Sequence, residues 1–119
     1  MTLKEVCYNE LQDFDFTLYV PDEGQRLLLA FNETDVPIGY ISLLGRSIEG
    51  IEIFKDHYGN NYGKQLMSIT IELLFYKYNY ITLVPIEQWL VTYYEQFGFV
   101  QTTKYENHLS EFPIMELRR

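Results

Sequence analysis

Cysteine is nearly missing: Cys7 is the one thiol in 119 residues. A single thiol excludes an internal disulfide framework, and no Cys/His cluster has zinc spacing, so no metal site is expected. No apolar run approaches the ~20 residues that a bilayer-spanning helix needs. Basic residues are scarce as well, nine against seventeen acids, for a net charge of −8. Nucleic-acid binding needs a basic footprint, and this balance argues against it. Repeats, linkers and low-complexity tracts are missing too, so the chain reads as one domain over residues 1–119. With no leader-like N-terminus, the cytoplasm is the expected compartment.

What the chain does have is apolar and aromatic bulk. Hydrophobic residues make up 47%, with eleven tyrosines and eight phenylalanines. Tyrosine suits strands and half-buried surfaces, where the ring packs and the hydroxyl reaches water. The acidity is uneven. Residues 1–25 hold Lys4 against Glu5, Glu10, Asp13, Asp15, Asp22 and Glu23. Such a segment suits a solvated surface, and it also suits a basic partner or an amine.

The stretch from Ile48 to Tyr78 organises the rest. Ser47 to Phe54 is strand-like, with Ile48, Ile51, Ile53 and Phe54 as its bulk. A loop from Lys55 to Lys64 follows, carrying Gly59, Asn60, Asn61 and Gly63. From Tyr62, Leu66, Ile69, Thr70, Leu73 and Tyr76 recur at helical spacing. A strand that turns through Gly and Asn into a helix leaves backbone N–H groups unpaired at the helix start. Those groups, with the helix dipole, suit a phosphate.

Around that stretch the pattern reads as follows. Residues 1–14 are ambiguous, with Leu3, Val6, Cys7 and Leu11 as a candidate helical stripe. Asp15 to Val20 reads as a strand, and Pro21 to Gly24 as a turn. Arg26 to Asn32 makes a hairpin with it, Glu33 to Asp35 turns the chain, and Val36 to Leu44 is the next strand. After the long helix, Tyr80 to Val84 is a short strand and Glu87 to Phe97 a second helix. Gly98 stops that helix. Phe99 to Tyr105 and Ile114 to Arg118 are the last strands. This predicts an α/β fold: a mostly antiparallel mixed sheet with helices packed on it. The one expected parallel pair joins Ser47–Phe54 to Tyr80–Val84 across the long helix.

Three segments in this order resemble the GNAT superfamily of N-acetyltransferases. Tyr58-Gly59-Asn60-Asn61-Tyr62-Gly63 lies where the family has Arg/Gln-x-x-Gly-x-Gly/Ala after a strand. Tyr93-Tyr94-Glu95-Gln96-Phe97-Gly98-Phe99 is similar to the family's aromatic helix end. Ile114-Met115-Glu116-Leu117-Arg118 is similar to its usual final strand. The resemblance implies a GNAT-like acyl-CoA N-acyltransferase fold with acetyl-CoA as co-substrate and an amine of a small molecule or protein as acceptor. By it, Ile51 and Ile53 pair with the pantetheine amides. Tyr58, Gly59, Asn60, Asn61, Tyr62, Gly63 and Lys64 hold the pyrophosphate.

The chain departs from the family in three places. Tyr58 stands where Arg or Gln is usual. Asn61 stands at the first key glycine, although Asn tolerates left-handed backbone better than most residues. A four-residue turn, Pro21 to Gly24, replaces the usual N-terminal helix pair between the first two strands. The acceptor pocket is then open, completed by a second subunit in a homodimer, or absent.

Transfer to an amine needs a base and an acid for the leaving thiolate. The resemblance assigns the acid to Tyr94, with neighbouring Tyr93 read as packing. Glu52 is the first choice of base, with Glu49 and His57 as alternatives. Between Ile51 and Ile53, its side chain points to the opposite sheet face from theirs. Glu87, where the family often has Asn, suits a helix N-terminus by charge. Two functions compete: an acetyl-CoA-dependent N-acetyltransferase, and a non-catalytic GNAT-like module that has lost the cofactor and acts through protein contacts.

Overall fold

The structure, a computed structural model, describes residues 1–6 and 24–119. It divides into two compact units, residues 1–67 and 68–119. Among the described residues no helix is long and apolar enough to cross a membrane.

The first unit is an antiparallel ladder of β1 (Thr2–Val6), β2 (Arg26–Phe31), β3 (Pro37–Leu44) and β4 (Ser47–Ile53), each strand beside the next. Its first strand corrects the sequence reading. Leu3 and Val6 belong to a strand, not to a helical stripe, and the partner of β2 is Thr2–Val6. The segment joining the two paired strands is therefore residues 7–25, in place of a four-residue turn. The expected strand Asp15 to Val20 lies outside the described residues.

Pairing fixes which side chains share a face. Leu28, Ile41 and Ile51 lie in one row, and Leu29, Tyr40 and Glu52 in the next, facing the other way. On the Tyr40 face, Val6, Leu27 and Leu29 form a buried cluster, with Phe31, Tyr40 and Phe54 packed against it. On the other face Leu28, Ala30, Ile41, Leu43 and Ile48 are buried. Ile48 and Ile51 are three apart, so strict alternation would set them on opposite faces. The register shifts between Ser42 and Leu43, pairing Gly50 with Ser42 and Ile48 with Leu43. Glu49 is the extra residue of this bulge, which returns Ile48 to the face of Ile51 and Ile53.

The β2–β3 turn is held by one side chain. Asn32 Oδ1 accepts from the Thr34 N–H and hydroxyl, both at 2.9 Å, and from the Val36 N–H at 3.0 Å. This is the Asx chemistry that makes Asn a turn residue.

The helix α1 (Tyr62–Phe75) begins in the first unit, where Leu66 and Met67 are fully buried, and ends in the second. It stops at Phe75, short of Tyr78. Its C-terminus is capped within the second unit: the Arg119 guanidinium donates to the Phe75 carbonyl at 2.8 Å. A cation there satisfies an orphan acceptor and complements the helix dipole.

The rest of the second unit holds β5 (Tyr80–Leu83), α2 (Gln88–Glu95), β6 (Val100–Gln101) and β7 (Met115–Arg118). β7 lies between β5 and β6, antiparallel to both. Ile81, Leu83, Val91, Phe99 and Met115 are its buried core. Gly98, at φ 99°, ends the α2 segment as expected, with its N–H on the Glu95 carbonyl at 3.0 Å. β6 is shorter than the predicted strand from Phe99 to Tyr105. Beyond Gln101 the pairing loosens into the Thr102 N–H to Ile114 carbonyl bond, 2.9 Å, and the Ile114 N–H to Lys104 carbonyl bond, 2.8 Å.

Candidate active site

The first unit brings together most of the residues singled out in the sequence. Ile51 and Ile53 are half-buried on one face of β4, and Glu52 is exposed on the other, directly across from Tyr40. Phe54 extends the ladder through its N–H to the Ile38 carbonyl at 2.8 Å. The chain then makes one short 3-10 turn, Lys55–His57, before the loop. His57 is half-buried, with its ring 6.5 Å from that of Tyr62. Its carbonyl accepts from the Asn60 side chain at 3.2 Å, a bond that closes the loop on itself.

Two loop residues adopt left-handed backbone. Gly59 has φ 88°, and a Cβ there would meet nothing within 4 Å. Asn61 has φ 61°. The substitution at the usual glycine position therefore keeps the conformation that glycine favours, because the short Asn side chain tolerates it. The Asn61 carbonyl accepts the Gln65 N–H at 3.3 Å and so closes the first turn of α1. The N–H groups of Tyr62, Gly63 and Lys64 precede that bond and have no intrahelical acceptor. No acid sits in this first turn, and Lys64 is exposed on it. Tyr58 is 65% exposed, so the phenol that replaces Arg or Gln is held out toward solvent.

A residue that sequence reasoning missed is Gly39. A Cβ on it would lie 2.2 Å from the Glu52 carbonyl oxygen and 3.1 Å from Ile53 Cα. Glycine here lets β3 approach the end of β4 that carries the candidate residues. The available signal was a lone glycine inside a strand pattern.

Tyr94 and its surroundings lie in the second unit. Tyr94 is 8% exposed, its ring 5.6 Å from Tyr93 and 6.2 Å from Phe99. Burial raises its phenol above the ordinary tyrosine range, and nearby Tyr93 adds to the rise. The phenol of Tyr93 is raised by burial as well. Tyr93 packs edge-on against Trp89 at 6.4 Å and Phe97 at 5.4 Å, which supports its reading as packing. Glu87 is the N-cap of α2, yet its side chain caps no backbone N–H. It accepts the Trp89 indole N–H instead.

Comparison with known proteins decides the family. The family model described as an acetyltransferase (GNAT) domain matches residues 3–118. The chain belongs to the GNAT acetyltransferase family. Among solved structures it is similar to the spermidine/spermine N-acetyltransferase SpeG from Vibrio cholerae, in complex with manganese ions. The TM-score is 0.70 at 19% identity, covering 98% of this chain and 91% of that one. It is also similar to a GCN5-related N-acetyltransferase from Rhodopseudomonas palustris, at TM-score 0.62 and 20% identity, covering 81% and 62% of the two chains. Tetrahymena GCN5 matches at TM-score 0.62 and 12% identity, covering 82% and 69%. At these identities the likeness establishes the GNAT fold, of class α/β. No curated protein matches the chain. GNAT enzymes generally use acetyl-CoA, and the Gly59–Lys64 segment has features that suit an anionic ligand: open space beside Gly59, left-handed backbone at Asn61 and three helix-start N–H groups without an intrahelical acceptor.

Proposed function

We propose that the protein is an acetyl-CoA-dependent N-acetyltransferase acting on an amine of a small molecule or protein. The observation that carries this reading is the backbone of Asn61. Its left-handed conformation supports a working phosphate loop in a GNAT chain whose loop sequence departs from the usual glycine. The N–H groups of Tyr62 to Lys64 receive the pyrophosphate, and the β4 backbone from Ile51 to Ile53 pairs with the pantetheine amides.

The amine attacks the acetyl carbonyl, and the C–S bond breaks. Glu52 takes the proton that the amine loses, directly or through water. Tyr94 gives a proton to the departing thiolate. A phenol is protonated at neutral pH without any shift, the form a donor needs; burial raises Tyr94 further and makes it a weaker acid than a free tyrosine. The non-catalytic reading rests on the altered loop, the missing helix pair and the acidic N-terminal segment. Asn61 keeps the glycine-like backbone, and the connection between the paired strands β1 and β2 is residues 7–25. The Asn61 backbone supports the enzyme.

Calorimetric titration with acetyl-CoA, followed by an amine panel with thiol-release detection, tests the proposal. Saturable binding and acceptor-dependent thiol release are expected. No binding at millimolar acetyl-CoA would leave only the non-catalytic module.

A further inference from the structure

Among the described residues, Tyr94 meets the rings of Phe99 and Tyr93. Phe99 is 6.2 Å away at 60° and is buried, so its place is fixed by close packing. Tyr93 is 5.6 Å away at 65° but only half-buried. Neighbouring residues on a helix do not face each other. Contact between positions 93 and 94 therefore depends on how the Tyr93 ring is held.

One ring about a helical turn to each side holds it. Phe97, four residues on, lies 5.4 Å from Tyr93 at 69°. Trp89, four residues back, lies 6.4 Å away at 61°. These contacts are edge-to-face, the geometry that aromatic quadrupoles favour. Trp89 is 62% exposed, and a ring that open keeps one place only if something ties it. Its indole N–H is donated to the Glu87 carboxylate, which caps no backbone N–H of α2. Glu87 ties Trp89, Trp89 and Phe97 flank Tyr93, and Tyr93 bears on Tyr94.

A proton donor must bring its hydroxyl within hydrogen-bond reach of the atom it protonates. The Tyr94 oxygen lies at the far end of its side chain, so a change of χ1 rotamer carries it out of that reach. We propose that Tyr93 is a positioning residue: held by Phe97 and the Glu87–Trp89 pair, its ring keeps Tyr94 in the one rotamer that acid catalysis uses. The inference rests on the acetyltransferase reading with Tyr94 as the acid. It gives the packing of Tyr93 a consequence for the rate.

The test uses Tyr93→Leu, Tyr93→Phe and Trp89→Leu in the full chain. NMR three-bond couplings read the χ1 rotamers of Tyr94 without any ligand, and steady-state rates on a working amine give kcat and KM. Tyr93→Leu removes the ring. It is expected to spread Tyr94 over more than one rotamer and to lower kcat roughly tenfold, with the KM for acetyl-CoA unchanged. Tyr93→Phe keeps the ring and should keep both the single rotamer and the parent rate. Trp89→Leu alters an exposed position and leaves the core intact. It should act in the same direction with a smaller loss, roughly threefold.

A single Tyr94 rotamer in both leucine variants would overturn the proposal. So would lost rotamer order with unchanged kcat, or a Tyr93→Phe as slow as Tyr93→Leu. Failure of the acid reading looks different: Tyr94→Phe then leaves turnover unchanged while the couplings still respond to Tyr93→Leu.

Discussion

A Cβ on Gly39 would stand 2.2 Å from the backbone oxygen of Glu52, closer than any real contact allows. The two strands meet there because one of them has no side chain. Gly39→Ala should force β3 and β4 apart at the end of β4 that leads into the loop. Overpacking of this kind typically costs ~1–3 kcal/mol, read as a lower midpoint in denaturant unfolding. Gly50→Ala is the control. Its Cβ would meet only Ser42 Cβ, at 3.9 Å, so the same measurement should show a much smaller loss.

Asn61 tests the loop separately from the sheet. Its φ of 61° costs a β-branched residue more than it costs Asn. Asn61→Gly should fold as well as the parent and bind acetyl-CoA at least as tightly. Asn61→Val should destabilise by about 1–2 kcal/mol and weaken acetyl-CoA in calorimetry by displacing the N–H groups behind it. If both variants bound equally, the loop backbone would have no part in holding the ligand.

Tyr94→Phe removes one hydroxyl and keeps the ring against Tyr93 and Phe99. Stability should change by about 1 kcal/mol or less, and turnover should fall by roughly 10²-fold or more. Steady-state rates on a working acceptor measure this, and unchanged turnover would remove Tyr94 from the mechanism. Burial raises the phenols of both Tyr93 and Tyr94. Their linkage to stability therefore has one sign. It is neutral below the unfolded phenol value and destabilising as pH rises above it through the raised folded values. Thermal unfolding in the alkaline range should show this loss, and Tyr94→Phe should reduce it.

Glu5 supplies the acid-side counterpart. Its carboxylate accepts Arg26 Nε at 3.0 Å and Nη2 at 3.2 Å, across β1 and β2. The Arg26 hydrogen bonds hold it below the usual carboxylate range, against a smaller opposing effect of burial. A lowered folded value means stability that is present above the unfolded value and lost as pH falls through the folded one. Both side chains are about half exposed, 48% and 51%, so solvent screening limits the pair to under ~1 kcal/mol. Acid unfolding of Glu5→Gln should lack this component, and 1 M salt should shrink it in the parent.

Much of this was legible because local rules dominate. Apolar spacing marked α1, Gly98 marked the end of the α2 segment, and alternation about Glu52 set its face against Ile51 and Ile53. The misreadings came where the deciding partner is distant in sequence. Thr2–Val6 is a strand because β2 lies beside it, and five residues with mixed exposure carry little period of their own. The bulge at Glu49 was written in the three-residue spacing of Ile48 and Ile51, but only the register with β3 shows which residue is extra. Gly39 was only half legible for the same reason: a lone glycine in a strand marks a close approach, but the atom it avoids belongs to another strand. Asn61 was half legible, since its residue type allows left-handed backbone without requiring it.

The central claim is that acetyl-CoA binds with its pyrophosphate at the start of α1. Amide NMR of the full chain during acetyl-CoA titration tests it most directly. The account predicts saturable shifts concentrated at Asn60 to Lys64 and along Ile51 to Ile53. Shifts elsewhere with those amides unmoved, or no shift at millimolar ligand, would contradict it.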